Sequence, residues 1–489
     1  MLKMGFNAFC LPGRKIVVFT ELLKHFRSDA EIATIIGHEV GHAVARHSAE
    51  GITKNLWFAI MQLIRYQFVM PDVVNTMSNL FLRLPFSRRS CKCGIYPQNK
   101  LCKLWQGVGP LQHFVRCERL QRCCFKSNGV KLARIISEAA TSDQAIDIQD
   151  LFMKAALDSI VKVLLGIEVD TMYGTNEEAT RFSNAFDVLS ELTLYRCVDF
   201  SWKIKKLLDI GSEAMLRKNL KVVDEFVYNL IKSKTETVPN SGDDPHLKRR
   251  DIVSRLLESR ETDPKYLRDM IFSLVVAGKD TTASTLSWFI YMICKHPHIQ
   301  EKIAQELREA TNVKDNSSID ELADNLTEEA LDKMQYLVAA LTETSRLYPA
   351  VPLNAKICSC DDTWPDGFSV KKGDMVGYHA YGMGRMKFLW GDDAEEFRPE
   401  RWLDENGVFK QESSFKFTAF SAGPRICLGR DFAHRETTMF SAVLVGSYIF
   451  KLRDENKVAN YKTKITHHID GGLYVQASPR FAHAMQDLN

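Results

Sequence analysis

Residues 420–429 read Phe-Ser-Ala-Gly-Pro-Arg-Ile-Cys-Leu-Gly, and no other stretch constrains the fold of this chain as tightly. One cysteine, Cys427, sits in a loop between Gly423 and Gly429, with Arg425 two residues upstream. A thiolate that ligates a metal needs backbone N–H groups turned toward its sulfur. Only a tight turn of small residues provides them, and the two glycines supply the backbone freedom. The plainer reading of a lone cysteine is a small buried hydrophobe in an ordinary loop. What separates the two is whether the rest of the chain carries matching chemistry.

The chain has 489 residues, 45% of them apolar and 26% charged, enough for one large α-rich enzyme or two to three ordinary domains. A net charge of +3 gives no reason to expect a nucleic-acid partner. No charge-free run of about 20 apolar residues encodes a membrane span. The nearest run, Asn55 to Met70, is short and contains Arg65. The N-terminal MLKMGFNAFCLPGRK has no apolar core followed by a small-residue cleavage site, which argues against a secretory signal. Twelve cysteines in a chain this long do not make a disulfide framework and fit a reducing compartment. Six of them fall between Cys91 and Cys124, without the paired C-x₂-C spacing of a zinc module.

Three stretches follow one another: 1–89, an irregular Cys-rich junction at 90–124, and 125–489. In the first, Lys15–Thr20 reads as a strand and Asp29 to about Ala49 as a helix with Ser28 as its N-cap. That helix carries His38-Glu39-Val40-Gly41-His42. Two histidines at i and i+4 share a helix face and can bind Zn²⁺, with the glutamate as general base on a metal-bound water. The surrounding SDAEIATIIGHEVGHAVARHSAE resembles the active-site helix of zinc metallopeptidases of the mitochondrial inner-membrane quality-control type, over about Asn7 to Arg89. The resemblance implies a partial α+β zincin segment with His38 and His42 as zinc ligands. The downstream Glu-Ala-Asp that gives such enzymes their third ligand does not occur in the first 130 residues. A catalytic zinc normally has three protein ligands, so peptidase activity is not expected. The junction shows no sustained helical or strand period, and its abrupt end predicts two unrelated segments joined, with 90–124 translated out of register.

From Phe125 the chain turns regular, and helical patterns dominate as far as Tyr348. A polar loop, Thr235 to Asp251, interrupts them, and short strands and turns follow: a Pro-Asp-Gly turn in WPDGFSV and a Gly-Gly hairpin tip in HHIDGGLYVQA. A long helix from about Asp263 to Cys294 has Ala277-Gly278-Lys279-Asp280-Thr281-Thr282 at its centre. Small residues there let a helix pass close over a flat group, and a hydroxyl beside a carboxylate can relay protons. Glu343 and Arg346, at i and i+3, share a helix face. Arg401 lies in Phe397-Arg-Pro-Glu-Arg-Trp402. His467 and His468 are adjacent, so in a strand they face opposite sides and make no metal site.

These motifs, with the cysteine loop, AYGMGRM at 380–386 and HIDGGL at 468–473, resemble the cytochrome P450 enzymes, and among them the plant clan of long-chain fatty-acid hydroxylases. The resemblance implies a mainly α fold with a small β region, N-terminally truncated, and haem b bound through Cys427. Phe420, Gly423, Arg425 and Gly429 would build the proximal loop, with Arg425 meeting a haem carboxylate. Ala277 and Gly278 would line the oxygen groove, Asp280 would act as its acid and Thr281 as its alcohol, and Leu473 would border the distal pocket. Glu343, Arg346 and Arg401 would form a scaffold network behind the haem. Also implied are an NADPH-cytochrome reductase as electron donor, a hydrophobic substrate such as a fatty acid, and a place on the endoplasmic reticulum surface. Two features of the family are not found here: a membrane anchor and a Trp-x-x-x-Arg motif, Trp105 being followed by Gln-Gly-Val-Gly. Three outcomes are therefore expected to compete: a haem-thiolate monooxygenase, a zinc metalloendopeptidase, and an inactive fusion product.

Overall fold

The computed structural model describes residues 118–480, apart from 143, 197–198, 238–250, 259–262, 314–316, 365–366 and 424–425, together with two N-terminal strands. The chain divides into two compact units, Met1–Arg83 and Leu84–Asn489. In the first, β1 (Ala8–Leu11) pairs antiparallel with β2 (Lys15–Val18), with Ala8 opposite Val18. The helix expected at 29–49, and with it His38, Glu39 and His42, lies outside the described residues.

The second unit is mainly helical. Its first described helix, α1 (Glu118–Thr141), begins inside the stretch read as junction and carries Cys124 fully into the core. The apolar period is obscured there because α1 also buries Gln121 and Asn128, whose amide donates to Ser159 Oγ at 2.9 Å. After the short β3 (Ile146–Asp147) comes α2 (Ile148–Leu165), buried along nearly its whole length. Asp147 caps it by accepting from the N–H groups of Gln149 and Asp150, and Gly166 ends it at φ +66. Next come α3 (Glu177–Tyr195), α4 (Trp202–Leu208) and α5 (Gly211–Thr237). Helix α5 therefore reaches three residues into the expected polar loop, and the rest of that loop to residue 250 is outside the described part. Its far end is tied back where Lys234 Nζ meets Asp251 Oδ2 at 2.8 Å, just before α6 (Ile252–Glu258).

The organising element is α7 (Pro264–Lys295), 32 residues with Asp263 as N-cap and Pro264 in its first turn. At 1.5 Å per residue it spans about 48 Å. It packs on α2, α5 and α14 and passes beneath β10. Around it lie α8 (Pro297–Thr311), α9 (Ile319–Asn325), α10 (Glu328–Lys333) and α11 (Gln335–Leu347), then the pairs β4 (Asn354–Ile357) with β7 (Met375–Tyr378) and β5 (Asp362–Thr363) with β6 (Ser369–Val370). Two one-turn helices, α12 (Ala380–Met383) and α13 (Lys387–Trp390), and a 3₁₀ turn at Pro399–Trp402 lead to α14 (Arg430–Ser447).

The last strands correct one expectation. Gly471 and Gly472 do turn, at φ +74 and +78, but they do not tip a hairpin. β10 (His467–Ile469) pairs with β9 (Tyr461–Thr463), whereas β11 (Tyr474–Pro479) pairs with β8 (Tyr448–Leu452) and β3. The turn thus passes the chain between two sheets. Gly472 is needed there because a Cβ would run into the Asp147 carboxylate, which is already capping α2 and accepting the Leu473 N–H at 3.0 Å.

Candidate functional site

The cysteine loop is built from its glycines and its own backbone. Ser421 and Gly423 both adopt positive φ, at +60 and +64, and the Ile426 N–H closes the turn onto Gly423 O at 3.1 Å. The Cys427 N–H then reaches back to Phe420 O at 2.7 Å. Gly429 caps α14, so Cys427 stands just before a helix N-terminus. The backbone N–H groups of Gly429 and Arg430 lie next to its sulfur, and the Arg430 N–H donates to Cys427 O at 3.4 Å. Desolvation pushes the thiol pKa up, and those two N–H groups with the Arg430 charge oppose it. The side chain is open along one side while protein surrounds it on the others. Phe420, half-buried, packs on the His434 ring at 5.1 Å. Arg425 lies outside the described residues, so its expected contact has no structural account.

The middle of α7 has an open face. Ala277 is exposed and Thr281 and Thr285, at i+4 and i+8, are only half-buried, although Val275, Val276 and residues 279, 280 and 282–284 around them are buried. Thr281 Oγ1 donates to Ala277 O at 2.5 Å, so its lone pairs face the open side. Asp280 is buried at 5% exposure and its Oδ1 has no hydrogen-bond partner. Gly278 has a packing role of its own. A Cβ on it would stand 2.9 Å from Ile160 Cδ1, so the missing side chain lets α7 close on α2.

Behind this region the structure joins Glu343, Arg346 and Arg401. Arg346 grips Glu343 with both fork nitrogens, Nε to Oε2 and Nη2 to Oε1, each at 2.7 Å, and both side chains are fully buried. Arg401 Nε reaches Glu343 Oε1 at 3.4 Å and turns its other nitrogens to Asp393 and Trp390 O. Sequence reasoning missed two members. Trp402 Nε1 donates to Glu343 Oε2 at 2.8 Å, and Asp393 bridges Arg398 and Arg401. Trp402 closes the FRPERW motif and was visible there, whereas Asp393 had no local signal. Gly384 completes the site, since a Cβ on it would collide with Arg346 O.

Leu473, His467 and His468 lie toward the C-terminal end of the chain. Leu473 is buried beside Tyr291 and Leu452, fourteen residues along α7 from Ala277, and borders a cavity of about 170 Å³ there rather than the open face. His467 and His468 are both buried in β10, and neither His467 Nδ1 nor His468 Nε2 finds a partner. Among the described residues no group of three His, Cys, Asp or Glu could hold a metal ion.

An accessible sulfur in a tight turn, a small-residue face opened in a buried helix, and a carboxyl beside a threonine with one oxygen outside any hydrogen bond fit a flat, thiolate-ligated cofactor such as haem. Comparison with known proteins agrees with this chemistry. Residues 124–474 match the sequence model of the family described as Cytochrome P450, and residues 3–90 that of Peptidase family M48. Cytochrome P450 704C1 of Pinus taeda is 44% identical over 373 residues, covering 73% of this chain and 71% of the relative. Cytochrome P450 704B1 of Arabidopsis thaliana is 41% identical over 388 residues, 73% of each chain. Cytochrome P450 86B1 of Arabidopsis thaliana is 36% identical over 355 residues, 71% of this chain and 63% of the relative.

Proposed function

Since the chain belongs to the cytochrome P450 family of monooxygenases, we propose that it hydroxylates a fatty acid through residues 125–489, with 1–89 a separate peptidase-like segment and 90–124 their junction. The balanced reaction is R–H + O₂ + two electrons + two protons giving R–OH + water, the electrons coming from an NADPH-cytochrome reductase. Haem, when bound, would supply oxygen activation at iron, which a thiolate ligand promotes by pushing electron density onto the metal. Cys427 would provide that thiolate, and the neighbouring N–H groups of Gly429 and Arg430 would temper its charge. Phe420 and Gly423 shape the loop, and Arg425 would bind a haem carboxylate. Ala277 leaves the face of α7 clear for the cofactor. Asp280 picks up protons and passes them to the Thr281 hydroxyl, whose own hydrogen bond to Ala277 O fixes its direction. Glu343, Arg346 and Arg401 act on the scaffold alone.

The observation that carries this reading is the exposed Cys427 sulfur, held in a turn that the Ile426 N–H closes on Gly423 O and the Cys427 N–H closes on Phe420 O. The test is the reduced, CO-bound spectrum of the full-length protein, where thiolate ligation gives a band near about 450 nm. C427A should abolish that band, and a band surviving the substitution would overturn the assignment. Incubation with reductase, NADPH and fatty acids of graded length then identifies the substrate by its hydroxylated product.

The surface around α4 supports a place on the endoplasmic reticulum membrane. No described helix is long and apolar enough to cross a bilayer. Yet Ile204, Leu207 and Leu208 are 62%, 85% and 59% exposed, and Lys203, Lys206 and Arg217 lie around them. Apolar side chains ringed by cations suit the headgroup layer. I204S/L207S should reduce co-flotation with vesicles containing anionic lipid. A second reading, zinc-dependent peptide hydrolysis at His38, Glu39 and His42, has the match over residues 3–90 in its favour. Stoichiometric zinc with proteolysis in the same preparation would support it.

A further inference from the structure

Lys279 is an unusual residue to bury in the middle of α7. Its side chain is fully buried, and its ammonium is shared unequally between two carboxylates. It is in direct contact with Asp187 Oδ1 of α3, but Asp280 Oδ1 lies 3.7 Å away, beyond hydrogen-bond range and with no other partner. Taking an ammonium out of water is costly unless a counter-charge meets it. Asp187 supplies that counter-charge, and the Phe186 ring, 5.5 Å from Nζ, adds a cation–π contact. Asp187 is itself 37% exposed, so its own carboxylate keeps much of its hydration. The remaining groups near the cluster are His468 of β10, buried and held neutral by desolvation, and Lys462 and Lys464 of the adjoining segment, with Lys462 paired to Glu191 of α3.

We propose that Asp187 and Lys279 are positioning residues, Asp187 occupying the Lys279 ammonium so that Asp280 stays unclamped and able to carry protons to Thr281. The geometry is a competition for one cation. While Asp187 holds it, Asp280 keeps a free oxygen. Without Asp187, the ammonium has only Asp280 to neutralise it and a short distance to close. A carboxylate locked in a buried ion pair stays ionised and cannot take up or release a proton near neutral pH. Because Asp187 rides on α3, whose Phe186 packs on Phe272 of α7 at 5.3 Å, the seating of α3 sets which carboxylate the lysine serves.

This rests on Asp280 being the proton carrier, so the test reads Asp280 itself, with or without haem. The full chain is labelled with ¹³C at the aspartate carboxyl carbons, and the Asp280 signal is assigned by its loss in D280N. In D187N its titration midpoint should fall by at least one pH unit relative to wild type. Adding K279M to D187N should raise it above wild type. K279M alone, which removes the buried cation and returns Asp187 to water, should also raise it and serves if D187N does not fold. An unchanged midpoint in D187N, or in K279M, overturns the proposal. In the haem-loaded protein, D187N should keep the CO-bound band but yield about tenfold less product per NADPH consumed, and K279M/D187N should recover most of it. Absence of the band in wild type would instead remove the monooxygenase reading, and the carboxyl titration alone would then decide whether Asp187 and Lys279 govern Asp280.

Discussion

At the scale of single residues, Glu343 shows why some side chains cannot be exchanged. Its two oxygens accept from both fork nitrogens of Arg346, the Arg398 N–H, Trp402 Nε1 and Arg401 Nε, all in a space closed to water. A neutral glutamine keeps the shape but offers one acceptor oxygen and no charge. The Arg346 guanidinium would then be buried without a counter-ion. E343Q should therefore cost about 3–5 kcal/mol in urea unfolding, the scale seen when one partner of a buried pair is removed. R346K should be nearly as damaging, since lysine keeps the charge but loses the planar fork that also serves Ala394 O and Glu396 O. K302A is the control. Lys302 makes a comparable contact with Glu400 at 2.9 Å on the surface, and its loss should stay below about 1 kcal/mol. Equal effects from the buried and surface variants would show that the network does not hold this region.

At the scale of elements, the decisive contact is the crossing of α2 and α7. Gly278 lets it form, and Ile160 fills the space a side chain would take. G278A should cost about 1–3 kcal/mol by overpacking. I160V, which trims the offending methyl, costs about 0.5–1.5 kcal/mol alone. The two together should cost less than their sum, because valine removes Cδ1, the nearer of the Ile160 carbons that crowd this position, although Cγ1 stays at 3.0 Å; strict additivity would mean that they do not meet. This crossing also marks the limit of what the sequence disclosed. Asp263-Pro264 announced the start of α7, and Asp147 and Gly166 bracket α2 by ordinary capping rules. Those signals are local, and so are the Glu343–Arg346 spacing and the turn around Cys427. The use of Gly278 was not, because nothing near it names Ile160 as its neighbour. Asp187 and Lys279 are likewise 92 residues apart, so their pairing appears only once α3 and α7 are brought together. The Gly-Gly turn misled for the same reason. It is a real turn, but the partners of β10 and β11 are chosen by strands elsewhere in the chain.

At the scale of the whole molecule, three buried groups set opposing pH limits. His467 and His468 are pushed down to about 4, in each case chiefly by burial. In the unfolded chain they bind protons from about pH 6.5 downward. Between those values the unfolded state holds more protons, so their contribution is complete above pH 6.5 and is lost as pH falls toward 4. Glu436 behaves in the opposite way. It is fully buried among α1, α2, α7 and α14, and neither oxygen closes a hydrogen bond, although Ser159 and Thr282 face it. Desolvation pushes it up to about 8 from 4.5. Here the folded state keeps a proton the unfolded chain gives up, so stability declines as pH rises from 4.5 to 8. Each group contributes at most about 1.4 kcal/mol per pH unit within its window. Between 4.5 and 6.5 the two histidines outweigh the one acid, and above 6.5 Glu436 acts without them. With respect to these groups, stability should peak near pH 6.5 and fall on the alkaline side. E436Q removes that alkaline decline while keeping shape and neutrality. The difference in urea midpoint between E436Q and wild type should grow steadily from pH 6.5 to 8 and level off above it, with every other titrating group cancelling in the subtraction. A difference that stays constant across this range would mean that Glu436 is ionised in the folded protein and that a cation or water reaches it in the core.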